Sequence, residues 1–176
     1  MKINIRFKQK LGAPLWHLDL NIIGAGKIDD PFIISPPKCD YYEEGYDRGT
    51  FYLNILESNS FTEIRKYDLR AITLVNCSNF TISNSVIRMV KLKNCSNILI
   101  KIDSIWIKLI LESCHYVDLV DSKIHIFDAI TSDDLLASKC QFDRVKKRTY
   151  SCSLTIENSK IMGFKNYLPS YSLSNF

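Results

Sequence analysis

A period of 18 to 19 residues runs through most of this chain and constrains its fold more than any single segment does. Asn76-Cys-Ser-Asn-Phe-Thr-Ile82 returns as Asn94-Cys-Ser-Asn-Ile-Leu-Ile100 at an offset of 18. Glu112-Ser-Cys-His-Tyr-Val-Asp-Leu119 carries the pattern on, with Cys114 lying 19 residues beyond Cys95, and Ser58 stands 19 residues before Cys77. A second column lies half a period away, at Asn84-Ser85, Asp103-Ser104, Asp121-Ser122, Ser138-Lys139 and Asn158-Ser159. Two columns in one phase define a repeat, and a repeat fixes the architecture before its elements are read one by one.

Between the columns run short segments rich in Ile, Val, Leu and Thr that alternate in polarity, such as Ala71-Ile-Thr-Leu-Val75 and Val90-Lys-Leu-Lys93. Period-2 alternation with β-branched residues predicts strands with one buried face. Asn, Asp and Ser break them at a fixed phase. Strands recurring at this spacing without helices between them stack as a solenoid, each coil hydrogen-bonded to the next. The expected fold is therefore all-β, a single-stranded parallel β-helix of about six coils. Leu74, Phe80, Val86, Leu92 and Ile98 recur at a spacing of six, as in a left-handed helix of hexapeptides. That run breaks at Ser104, the coil length drifts and the small-residue hexapeptide signature is missing, so the right-handed form is expected. Residues 1–50 are off-period and read as an N-terminal cap and lead-in, 51–162 as the β-helix, and 163–176 as a C-terminal tail or cap, since ladder ends need covering. The basic Lys146-Lys-Arg148 and Cys152 fall in a stretched coil.

The 176 residues, 46% hydrophobic and 24% charged, suit one packed domain and exclude a disordered or collagen-like chain. A formal charge of +4 is too small and dispersed to imply nucleic acid or an anionic membrane. The most apolar window, Ile105-Trp-Ile-Lys-Leu-Ile-Leu111, is too short to span a bilayer. No signal-peptide pattern opens the sequence, so the expected compartment is cytoplasmic. The six cysteines (Cys39, Cys77, Cys95, Cys114, Cys140 and Cys152) then read as reduced, buried thiols, and the sequons at Asn76, Asn79 and Asn94 as unglycosylated.

Two families are suggested by particular residues. Gly24-Ala-Gly-Lys-Ile-Asp-Asp-Pro-Phe-Ile-Ile34 resembles the G-x-G-t-x-x-D/N-P-Y/F-I-I opening of NosD-type β-helix domains, part of the carbohydrate-binding and sugar-hydrolase (CASH) group of the pectin-lyase-like superfamily. With the coils that follow, the likeness covers residues 22–161. It implies a right-handed β-helix and contact with polysaccharide, although members are commonly exported and have longer coils. The Asn-Cys-x-Asn repeats over residues 71–161 are also similar to the tubulin-cofactor-C and cyclase-associated-protein group. There an outward Gln and Arg two residues apart form an arginine finger for a GTPase. The nearest match here is Gln141 and Arg144, three apart, which strict strand alternation would send to opposite faces.

In this fold acidic clusters are the first place to look for catalysis, because sugar hydrolysis needs two carboxylates and a lyase needs a base beside a cation. Asp103 and Asp121 share a phase 18 residues apart and are expected one above the other, and Asp133-Asp134 lies in the next coil. All four also read as turn residues, since Asn84 and Asn158 fill the first pair's column. His115 and His125 lie on different columns without metal-ligand spacing, and Cys77, Cys95 and Cys114 read as an inward ladder, so no metal and no cofactor is expected. Gly24-x-Gly26-Lys27 lacks the spacing of a phosphate-binding loop. Lys91, Lys93, Lys101, Lys108 and Lys123 read as a solvated cationic flank that deters aggregation. The loop from Pro36 to Arg48 sets Tyr41, Tyr42 and Tyr46 among acidic residues outside the repeat, and with Arg48 it is the expected ligand-binding segment.

The expected function is a non-catalytic β-helix acting as a binding or assembly module, in contact with polysaccharide or a protein partner through its flat face and the tyrosine loop. A homo-oligomer through the solenoid ends is one form this takes. The alternative is a carbohydrate-active lyase or hydrolase using Asp103, Asp121, Asp133 or Asp134. A lower alternative is a cytoskeletal or small-GTPase regulator resembling cofactor C.

Overall fold

The computed structural model describes residues 2–7, 21–35, 51–65, 68–147 and 153–166, and every regular element in them is a strand. In chain order these are β1 (Lys2–Phe7), β2 (Asn21–Ile23), β3 (Phe32–Ser35), β4 (Phe51–Ser58), β5 (Thr62–Arg65), β6 (Asp68–Ser83), β7 (Val86–Lys93) and β8 (Ser96–Lys101). They continue with β9 (Ser104–Glu112), β10 (His115–Val120), β11 (Lys123–Ile130), β12 (Asp133–Ser138), β13 (Gln141–Lys147), β14 (Leu154–Glu157), β15 (Lys160–Ile161) and β16 (Phe164–Asn166). Successive coils pair in parallel, giving a parallel β-solenoid of about 6 turns. One sheet stacks β4, β6, β7, β9, β11 and β13, ending on β15 and β16. The other stacks β3, β5, the second half of β6, then β8, β10, β12 and β14.

Register keeps like residues in line. In the first sheet Leu53, Ile72, Val90, Leu109, Phe127 and Val145 form one inward column. In the second, Ile34, Ile64, Ile82, Ile100, Leu119 and Ala137 form another, and all of these residues are buried. A one-residue slip would turn every such column to solvent, so the apolar pattern fixes the register. Phe127 and Phe142 meet inside with ring centroids 5.6 Å apart and tilted by 59°, within the favourable range for aromatic pairs.

The Asn-Cys-Ser-Asn motif is the corner between the sheets. Asn76 and Asn79 both take positive φ, as do Asn94 and Asn97 one coil on, and the cysteine between them points inward. Asn reaches this left-handed region more easily than other residues with a Cβ, so two per corner turn the chain at little cost. Their side chains also join coil to coil: Asn94 Nδ2 donates to Asn76 Oδ1 at 3.0 Å and Asn97 Nδ2 to Asn79 Oδ1 at 2.6 Å. Ser113, Tyr116, Thr131 and Asp134 repeat the conformation higher up.

The N-terminal end carries strands of opposite sense. β1 lies antiparallel on β4, and β2 forms an antiparallel hairpin with β3, whose other edge continues the parallel ladder into β5. The ladder thus extends past residues 51–162 at both ends, through β3 and β16. Gly24 and Gly26 form the turn of that hairpin, with φ of 99° and 75°. A Cβ on Gly24 would lie 2.0 Å from the Pro31 carbonyl oxygen, and one on Gly26 would lie 2.4 Å from the Phe32 ring. These glycines serve backbone packing at the start of the ladder.

One coil departs from the rest. Ile87 pairs with Ile105, 18 residues on, but Met89 pairs with Lys108, 19 residues on. β9 therefore holds one more residue than β7 or β11 between its inward positions, a β-bulge at Trp106-Ile107. It accounts for the 19-residue spacing of Cys95 and Cys114, since it shifts the register of everything from Met89 to Ile105 against the next coil; β6 on β4 and β14 on β12 stand 19 apart independently of it.

Candidate functional site

The four aspartates proposed from the sequence fall at two separate corners. Ser104 pairs with Lys123, so Asp103 lies level with Ser122 and not with Asp121. The expected stacking of Asp103 on Asp121 is thus wrong by one position, and the residue inserted at Trp106-Ile107 is the cause. Ile102, level with Asp121, is buried, while Asp103 faces solvent. Asp121 takes positive φ and lies 3.9 Å from the Lys101 ammonium. Asp133 pairs with the His115 ring, and Asp134 is an exposed corner residue with φ of 50°. Asp133 is level with His115, the first residue of β10, and Asp121 follows its last, so their columns stand about 20 Å apart along the strand. A hydrolase needs its two carboxylates within about 10 Å, so the two corners do not combine into one catalytic pair.

The histidines each bridge two coils. His125 Nδ1 lies 2.8 Å from Asp143, 18 residues on, the same offset as His115 and Asp133. Both pairs are about half exposed. Cys77, Cys95, Cys114 and Cys140 are free and buried. The thiol of Cys95 is pushed up to about 11, and that of Cys77 is raised as well. Sulfur–sulfur hydrogen bonding along the ladder is the main cause, and burial adds to it. The same bonding lowers the Cys114 thiol, and all four buried sulfurs fill the inside of the corners as packing groups. Among the described residues no group of three or more His, Cys, Asp or Glu is placed to hold a metal ion.

The lysine flank is not simply solvated. Lys108 lies 2.5 Å from the carboxylate of Asp128, whose side chain is 0% exposed. Lys93 bonds Glu112 at 2.8 Å, and this contact holds the Glu112 carboxyl below the usual carboxylate range. Lys101 approaches Asp121, and Lys123 lines a groove described below. Gln141 and Arg144 both face outward: two residues, Asp143 and Arg144, separate the inward Phe142 and Val145, so strict alternation fails there. Tyr41, Tyr42, Tyr46 and Arg48 lie outside the described residues.

What the sequence did not single out is a ridge on the first sheet. At the step where Phe142 gives way to Val145, two residues separate the inward positions in β7, β11 and β13, and in β9 the bulge makes it three. Up the solenoid the ridge carries Arg88, then Trp106 with Ile107, then His125, then Asp143, all exposed. Trp106 is 66% exposed and Ile107 51%. An indole is buried on average, and a bulge is a built feature that re-aims side chains, so this exposure calls for a cause other than packing. Two residues along the strand from His125, on the short face between the ridge and the Asn84 corner, lies a groove of about 490 Å³. Lys123, Lys139, Gln141, Asn158, Lys160 and Asp121 line it. The one early signal of the ridge was the extra residue between Cys95 and Cys114.

No family model, no curated protein and no solved structure matches this chain. None of its described residues forms a helix long and apolar enough to cross a membrane.

Proposed function

We propose that this protein is a non-catalytic binding module that holds a polysaccharide along the Trp106 ridge. The observation that carries this reading is the indole itself, lifted to 66% exposure by an inserted residue in an otherwise regular ladder. A flat aromatic ring on a rigid support stacks against the C–H faces of a sugar at little entropic cost. Arg88 below it and His125 above it supply hydrogen-bond donors for hydroxyls. Rigid coils repeat this geometry along the axis, which suits a polymer. The CASH-type opening at residues 24–34 points to the same ligand class, and a right-handed coil would follow from that kinship. The separation of the aspartate corners speaks against the alternative of a lyase or hydrolase.

The test is a glycan-array screen of the purified chain beside Trp106→Ala, an exposed-site change that leaves the core untouched. Saturable binding to at least one polysaccharide class, weakened about tenfold or more in the variant, is the expected result. Undiminished binding in the variant would move the site elsewhere, with the Tyr41–Tyr46 loop as the next place to look. Absence of binding to any glycan would leave a protein partner as the better account.

A further inference from the structure

We infer that the groove beside the ridge is an anion subsite, and that the polysaccharide is acidic with its charges spaced about one disaccharide apart. This rests on the polysaccharide reading and adds the chemistry of the ligand to it. Three ammonium groups, those of Lys123, Lys139 and Lys160, line the groove against a single carboxylate, Asp121. Asp121 in turn lies 3.9 Å from Lys101, which offsets its charge. None of the three groove lysines has a carboxylate partner among the described residues, in contrast to Lys93 and Lys108.

The floor cannot supply the recognition. Its backbone donors are committed to the ladder: Gln141 N–H to the Ser122 carbonyl at 2.9 Å, Lys160 N–H to the Cys140 carbonyl at 2.8 Å, and Cys140 N–H to the Ser159 hydroxyl at 2.8 Å. Selectivity must come from the lysines, with the Gln141 and Asn158 amides left for uncharged oxygens.

The spacing follows from register. Lys123 pairs with Gln141 and Gln141 with Lys160, so the two lysines stand two ladder steps apart. That is about 9.6 Å, on the scale of a disaccharide unit, with the Gln141 amide between them in the same column and Lys139 two residues to the side on that middle coil. Ser104 pairs with Lys123, which sets Trp106 one coil below the groove and two residues to its side. A chain lying along the solenoid axis therefore meets the indole first and then the Lys123 and Lys160 ammonium groups two coils apart, with Lys139 flanking the interval. Whether the anion is a carboxylate or a sulfate is left to the experiment, since an ammonium takes either.

Affinities of the full chain for hyaluronan, carboxyl-reduced hyaluronan, dextran sulfate and dextran, measured by calorimetry at low salt, test this. The wild type is expected to prefer the charged member of at least one pair by about tenfold. The pair that shows the preference identifies the anion. In Lys123→Gln/Lys160→Gln that preference disappears while affinity for the neutral polymer is kept; in Trp106→Ala both are weakened. Preference that survives the lysine changes overturns the inference, as does tighter binding of a single-stranded oligonucleotide than of either charged glycan. Equal binding of charged and neutral polymers overturns it too, but leaves the polysaccharide module standing. Binding to none of the four overturns the inference, and only if the glycan array is silent as well does the polysaccharide module fall with it.

Discussion

At the scale of single residues, the corners explain why this chain uses Asn, Cys and Ser where it does. Asn tolerates positive φ, and its amide bonds to the Asn one coil away. The cysteine between two such residues is small enough to fill the inside of the bend, and its S–H reaches a carbonyl of its own or the preceding coil, as Cys95 does to Lys93 and Leu74. The column is less well satisfied at its base. Ser58 pairs with Cys77, is buried, and its hydroxyl is the buried side-chain polar atom left without a hydrogen bond among the described residues. A buried hydroxyl with no partner costs the free energy of its lost hydration. Ser58→Ala is therefore expected to stabilise the protein by about 1 kcal/mol, read as a shift of the urea midpoint to higher concentration at unchanged slope. A shift to lower concentration would mean that the hydroxyl is satisfied after all.

At the scale of elements, the bulge in β9 decides both what was legible in the sequence and what was not. Stacked coils place chemically similar residues in register, so Cys77, Cys95 and Cys114 or Ile64, Ile82 and Ile100 announce a parallel ladder from spacing alone. A single inserted residue shows only as a one-residue step in that spacing, here between Cys95 and Cys114, and the step does not say where the insertion lies. Ile105-Trp-Ile-Lys-Leu109 reads as ordinary strand, and counting 18 from Asp103 lands on Asp121 although the ladder sets it level with Ser122. Side-chain pairing was equally hidden: nothing in the spacing of lysines tells that Lys108 faces a buried Asp128 while Lys123 lines an open groove. Deleting Ile107 gives β9 the same count as its neighbours and restores an unbroken ladder. Because bulges interrupt pairing, the deletion variant is expected to melt at or above the wild-type temperature while its polysaccharide affinity falls. A large drop in melting temperature would assign the bulge to packing and remove its functional reading.

At the scale of the whole molecule, a solenoid with antiparallel strands at its N-terminal end and parallel coils above it is a rigid frame on which positions two residues or one coil apart keep fixed distances. That frame separates the acidic corners and aligns Arg88, Trp106, His125 and the Lys123–Lys160 row on one side. Trp106 is the position where the ligand is expected to sit. The chain has two tryptophans, Trp16 and Trp106, so a Trp16→Phe protein reports from the ridge alone. Its emission should be that of a water-exposed indole, and titration with a polysaccharide that binds should shift it to shorter wavelength along a saturable curve whose midpoint matches the calorimetric Kd. Binding by calorimetry with no change in Trp106 emission would contradict the account and place the ligand on another part of the molecule.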